Sequence, residues 1–152
     1  MDLAGSLLNT FDINQRINLY LIENLPAEAW ASKSPKGRSI PGIVAHMHNV
    51  RLMWLKSAGV ADMPTKLEEE QLSARDAATA LSESHSALRT AIAASLEGNQ
   101  RIKGFKPDVV AFVGYLLAHE AHHRGQISLL ARLAEHPVSK SVNFGMWEWG
   151  TR

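Results

Sequence analysis

The sequence predicts an all-α protein. Four segments repeat apolar residues with helical period, and none shows the sustained period-2 alternation of β-branched residues that a strand requires. The chain has 152 residues, 45% hydrophobic and 20% charged, which is the size and composition of one ordinary globular domain covering residues 1–152. Cysteine is absent, so any metal must be held by nitrogen and oxygen, and no disulfide or cysteine nucleophile can form.

The first helix is expected from about Leu7 to Leu25, ending before Pro26, whose ring disfavours helical geometry in the preceding residue. "LPAEAWASKSPKGRS" then reads as a loop with room for one short turn. Ser39 can cap the second helix, where Pro41 is tolerated in the first turn, and Gly59 marks its end. The connection "GVADMPTKLEEEQL" has 14 residues, enough to span about 45 Å when extended, whereas a 20-residue helix is about 30 Å long. It can therefore run the length of the bundle, and simple up-down-up-down wiring is not forced. Ser73 and Asp76 form a variant capping box for a third helix ending near Gly98. The fourth starts at about Pro107 and is stopped by Pro137. The tail "VSKSVNFGMWEWGTR" holds two of the four tryptophans and is expected to dock against the bundle.

Asp2 stands where a signal peptide carries positive charge, and no apolar run has the length of a bilayer span. A cytoplasmic location and no membrane partner are expected. The net charge is +1, and the 16 lysines and arginines are dispersed, which argues against nucleic-acid binding. The charge run "KLEEEQ" reads as a solvated approach to a helix.

The candidate chemistry lies in the fourth helix. At about 100° per residue, Leu116, His119, His123, Ile127 and Leu130 share an arc of roughly 80°, so two histidines sit in the apolar stripe. A single histidine there is usually a hydrogen-bonded core residue. Two stacked one turn apart bring four ring nitrogens to satisfy, and a metal takes one from each. Glu120 falls at the stripe margin, and His122 points away. In the second helix Ile43, Met47, Val50 and Trp54 form the apolar stripe, with His46 at its border and His48 nearly opposite, toward solvent. His85 shares a stripe with Leu81, Leu88 and Ile92, an ordinary core histidine or an additional ligand. His136 follows the last turn and is placed to cap its carbonyls.

His119-Glu120-Ala121-His122-His123 satisfies H-E-x-x-H, the zinc-protease pattern. The extended form fails, because Gln126 and Leu129 stand where glycine and histidine are needed. A thermolysin-like site would need a downstream glutamate on a further helix, and after Pro137 only Glu148 remains, in the short tail. A ferritin-like di-iron site needs a second Glu-x-x-His and further inward glutamates, but the second helix has none and the third has only Glu83 and Glu97. A mononuclear three-histidine site is the simpler account.

The segments "SIPGIVAHMHNVRLMWL", "AHEAHHRGQISLLARL" and "MWEW" resemble the DinB/YfiT-like family of metal-dependent proteins, with His123-Arg124-Gly125-Gln126 the most specific run. The resemblance covers nearly the whole chain. It implies a four-helix bundle wired up-down-down-up with a long crossover between the second and third helices. It also implies a divalent ion, nickel or zinc, held by His46, His119 and His123, and a homodimer. Many relatives have an acidic residue soon after the second-helix ligand, where this chain has His48, Asn49 and Arg51.

Three neutral imidazoles leave a coordination position open, where water would be acidified or a thiol could bind as thiolate. The expected function is a small metalloenzyme, a thiol-dependent transferase or a hydrolase acting on a small molecule, with Glu120 a candidate for proton transfer or for orienting a ligand. The alternative is a non-catalytic, stress-related or interaction protein in which the metal ties two helices together. A fourth protein ligand such as His85 would favour that alternative.

Overall fold

A computed structural model of the chain describes residues 2–35, 37–98 and 101–152. Positions 36, 99 and 100, inside two of the expected connections, lie outside the described residues. Among the described residues there is no strand, and an isolated bridge pairs Lys33 with Ser39.

Helix α1 spans Leu3–Glu23 and starts a turn earlier than expected, because the Asp2 carboxylate accepts from the Gly5 amide at 2.9 Å. The short α2, Ala27–Trp30, is the turn anticipated in the first connection. Helix α3 covers Ile40–Ala58; Ser39 caps it by accepting from the Gly42 amide, and it closes at Gly59, whose φ of 85° suits glycine. Helix α4, Ala74–Glu97, opens on Ser73, which bonds both the amide and the carboxylate of Asp76. Helix α5, Val109–Leu133, is capped by Asp108 and ends four residues before Pro137. Glu135 there adopts a φ of 65°, and the amides of Glu135 and His136 bond the carbonyls of Arg132 and Ala131 in a Schellman closure. His136 thus caps the helix through its backbone. Helix α6 is Lys140–Gly145.

Residue pairings fix the direction of each long helix. Along α1 and α4, Asp12 meets Arg89 while Leu19 and Ala78 share the opposite end, so the two are antiparallel. His48 meets Ala80 and Arg51 meets Ser84, which makes α3 and α4 parallel. Asn14 reaches Glu120 and Asn18 reaches Arg124, so α5 runs with α1. In chain order the long helices run up, down, down, up. The crossover that this requires lies along α3: Asn49 exchanges two hydrogen bonds with the backbone of Leu67, and the Trp30 indole donates to the Leu72 carbonyl.

The crossover also corrects the expectation for His48. Instead of meeting solvent, its ring is fully buried, with Nδ1 3.0 Å from the Ala80 carbonyl and Nε2 2.9 Å from that of Thr65. A helical wheel treats the face opposite an apolar stripe as wet; here α4 and the crossover cover it. The buried stripe of α3 is rotated accordingly and includes Val44, Met47, His48, Arg51 and Leu55.

Two apolar clusters fill the bundle. One gathers Leu21, Ile43, Met47, Leu81 and Ile127, and the other gathers Phe11, Leu55, Leu88, Phe112 and Leu116. Between them lies a polar layer built on an ion pair of zero exposure, Arg51 with Glu120. Arg51 Nε donates to Glu120 Oε1 at 2.7 Å and Nη2 to Oε2 at 2.9 Å. Its other donors reach the Leu81 carbonyl, at 2.8 Å, and Gln15 Oε1. Asn14 and Asn18 each donate to Glu120 Oε2 at 2.6 Å, while their own carbonyl oxygens accept from Arg124 Nη1. All four long helices contribute to this layer.

The tail docks, though not through its tryptophans. Val142 and Met146 pack on the first cluster, and the Arg152 guanidinium lies 3.8 Å over the Tyr20 ring while bonding the Gly145 carbonyl. Trp147 remains 80% exposed and Trp149 41%. No helix among the described residues is long and apolar enough to cross a membrane.

Removing one partner of a buried ion pair strands the other charge, at a cost of about 3–5 kcal/mol, whereas replacing both with apolar groups is often neutral. Arg51→Met or Glu120→Met alone should therefore lower the urea-unfolding free energy by about 3–5 kcal/mol, and the double variant should recover much of that loss. Equal loss in the single and double variants would contradict a charge-stranding mechanism.

Candidate metal centre

One turn of α5 separates His119 from His123, and both rings lean toward α3, where His46 faces them from the border of the buried stripe. The His119 Nε2 atom is 3.3 Å from His46 Nε2 and 3.1 Å from His123 Nε2. One ligand nitrogen from each residue lies within 4.8 Å of the others. Among the described residues this is the group of histidines and carboxylates with the spacing to hold a metal ion. Of the residues singled out in the sequence, His46, His119 and His123 are brought together, and the others are not.

An ion bound tetrahedrally with bonds of about 2.0 Å separates its ligand atoms by about 3.3 Å, so the observed spacings are those of ligands on one ion. His123 Nδ1 donates to Gln126 Oε1 at 2.8 Å, which leaves Nε2 of the neutral ring as a lone pair aimed into the cluster. His119 Nδ1 is buried without a hydrogen-bond partner. Three neutral imidazoles cannot satisfy one another at the point where their nitrogens meet, because each N–H serves one lone pair. A cation there satisfies all three.

The electrostatics keep the rings neutral. Burial lowers the pKa of His46, and the charges of Arg38, His123 and His119 push the same way, down to about 4. His119 is lowered by burial and then by His123. His123 is lowered by burial, against the opposing bond to Gln126. Tyr115 stacks on the His119 ring at 5.9 Å, covering its outer side.

Glu120 does not take part in proton transfer as the sequence suggested. Both of its oxygens are occupied within the polar layer and the carboxyl is fully buried. Burial alone would raise its pKa, but the Arg51 charge and the hydrogen bonds from Arg51, Asn18 and Asn14 outweigh it and hold the carboxyl below its ordinary value. It contributes stability above the ordinary carboxylate pKa that is lost as pH falls through the depressed one. The protease pattern loses its base by the same fact.

His85 sits elsewhere. Its Nε2 bonds Asp12 Oδ1 at 2.9 Å between α4 and α1, and Phe11 packs on its ring. His122 is exposed, with its ring centroid 5.2 Å from that of His123. Sequence reasoning missed the supporting residues Asn14, Gln15, Asn18 and Arg124. The signal was present: Asn14 and Asn18 are spaced four apart between the apolar Phe11, Ile17 and Leu21, where polar side chains need buried partners.

Four long helices around a three-imidazole cluster define the class of protein. The DinB family model matches residues 1–144, and the chain belongs to the DinB family. No curated protein and no solved structure matches it.

The lowered histidine pKa values carry a sign. Each ring is neutral in the fold and binds its proton at lower pH than in the unfolded chain, so the unfolded state takes protons first. The stability due to this difference is complete above about pH 6.5 and is lost as pH falls, for His46 through about 4. In the presence of a chelator the melting temperature should drop between pH 7 and 5, and His46→Ala should flatten the drop. A melting temperature independent of pH over that range would contradict the neutral-cluster reading.

Proposed function

We propose that the chain binds one divalent metal ion, nickel or zinc, through His46, His119 and His123 and acts as a small metalloenzyme of the thiol-transferase or hydrolase type. The observation that carries this reading is the convergence of three imidazole nitrogens at 3.1 and 3.3 Å. Family membership and the lowered pKa of each of the three histidines support it. A divalent ion on three imidazoles supplies a Lewis acid with a position left for a substrate atom. The chain's own residues orient the site: Gln126 fixes the His123 tautomer, and the Arg51–Glu120 pair sets the register of α3 on α5. The engagement of His85 by Asp12 favours the exchangeable site over a closed structural one.

Purified protein should carry about one ion per chain, because there is one such cluster among the described residues. His46→Ala, His119→Ala and His123→Ala should each abolish binding, while His122→Ala should keep it, as read by metal analysis after dialysis. Loss of metal in the His122 variant equal to that in the others would overturn the ligand assignment.

The reading includes a homodimer. Helix α5 exposes Val110, Gly114, Ala118, Ala121 and Gly125 on its outer side, next to a cavity of about 420 Å³ bounded by Trp147 and Trp149. A helix apolar on both faces is covered on both. Sedimentation at micromolar concentration should show twice the 16.7 kDa chain mass, and Trp147→Ser with Ala121→Glu should yield the monomer. A 16.7 kDa species alone in the native protein removes this part of the reading.

A further inference from the structure

We infer that Arg38 gives the site a preference for ligands that carry a carboxylate, so that the substrate is a small carboxylate-bearing molecule; the inference rests on the metal reading above. Arg38 immediately precedes the Ser39 cap of α3 on a loop held by the Lys33–Ser39 bridge and by bonds from the Ser34 amide to the Arg38 carbonyl and from the Ile40 amide to the Ser32 carbonyl. Its side chain borders two cavities. One, of about 370 Å³, contains His46 and Asn49, and the other, of about 390 Å³, contains Ile43 and Gln126, the residue that orients His123. Arg38 therefore borders both the cavity that His46 lines on α3 and the one that Gln126 lines on α5.

Among the described residues, no carboxylate pairs with Arg38. Two of the neighbouring acids on the crossover have other partners: Glu68 accepts from Lys66 at 2.7 Å, and Glu69 accepts from Ser39 Oγ at 3.1 Å. A fixed positive charge beside three histidines weakens their hold on a divalent cation, and the exposed side chain packs against no core that would require it. The arrangement is self-consistent when an anionic ligand spans the two cations. The guanidinium fork matches a carboxylate in two parallel hydrogen bonds. Glu68, Glu69 and Glu70 line the same cavity as His46, and their charge disfavours a phosphate dianion relative to a carboxylate monoanion.

The test uses full-length protein loaded with cobalt, whose visible spectrum reports on added ligands. The probes are 3-mercaptopropionate and its neutral methyl ester. The native protein should bind the acid about tenfold or more tightly than the ester; Arg38→Gln should erase that preference while leaving the ester's affinity unchanged, and Arg38→Lys should keep part of it. A preference of equal size in native and Arg38→Gln protein, or no preference in either, overturns the inference while leaving the metal reading intact. Failure to take up cobalt, or a spectrum blind to both thiols, sinks the metal reading and the inference with it. Inorganic phosphate competing better than acetate in the native protein, with that advantage lost in Arg38→Gln, would assign the cavity to a phosphoryl group and overturn the carboxylate assignment.

Discussion

The ion pair between Arg51 and Glu120 is the constraint on which the rest of the structure depends. Both side chains have zero exposure, and desolvating two charges costs several kcal/mol each unless the geometry and the surrounding hydrogen bonds compensate. Here every oxygen lone-pair direction that matters is filled, by Arg51, Asn14 and Asn18, and Arg124 in turn fixes both asparagines. A pair so surrounded adds little stability over an apolar core, but it admits one register. Sliding α3 along α5 by a single residue would break both hydrogen bonds between the buried charges. Glu120 follows His119 directly, and Arg51 lies five positions after His46, so the register that satisfies the ion pair is the one that brings the three histidines together.

Much of this was legible in the sequence, for identifiable reasons. The helix starts at Ser39 and Ser73 could be read because capping is a local interaction between a side chain and amides two or three residues away. The histidine faces on α5 could be read because 3.6-residue periodicity is also local. What could not be read depends on neighbours that are distant in sequence. The expected α3 stripe was drawn through its apolar residues, which set it toward Val50 and Trp54, both only partly buried, and left His48 opposite it and Arg51 outside it. Each becomes a core residue through a partner supplied by another element: Glu120 for Arg51, and the Ala80 and Thr65 carbonyls for His48. The exposure of Trp147 was hidden for a related reason, since its aromatic character says that it wants cover without saying from which chain.

The cluster runs against stability in the chain that contains it. Three imidazoles are held with their nitrogens facing one another, His119 Nδ1 lacks a partner, and the rings are kept from protonating. Leucines in the same stripe would fill the space without those costs. Strain of this kind persists where surrounding structure over-determines it, and the polar layer one step along the bundle does so here. Arg38 adds to the same tension, since it raises the cost of a second proton or a bare cation at the cluster. The two features are reconciled by a ligand that brings negative charge to the opening between them.

The H-E-x-x-H spacing shows how far a motif carries before its neighbours decide the chemistry. On any helix the spacing puts two histidines one turn apart on one face, so their ability to meet at one ion follows from helical geometry alone. The glutamate lies about 100° to the side, and its role depends on what packs there. Facing an open cleft it would be a free base. In this chain α1 and α3 cover that side and supply Asn14, Asn18 and Arg51, so the carboxylate is ionised, saturated with donors and sealed from solvent. The same motif that holds a base in a protease here holds a brace, and Glu120 has no free oxygen left for proton transfer at this centre.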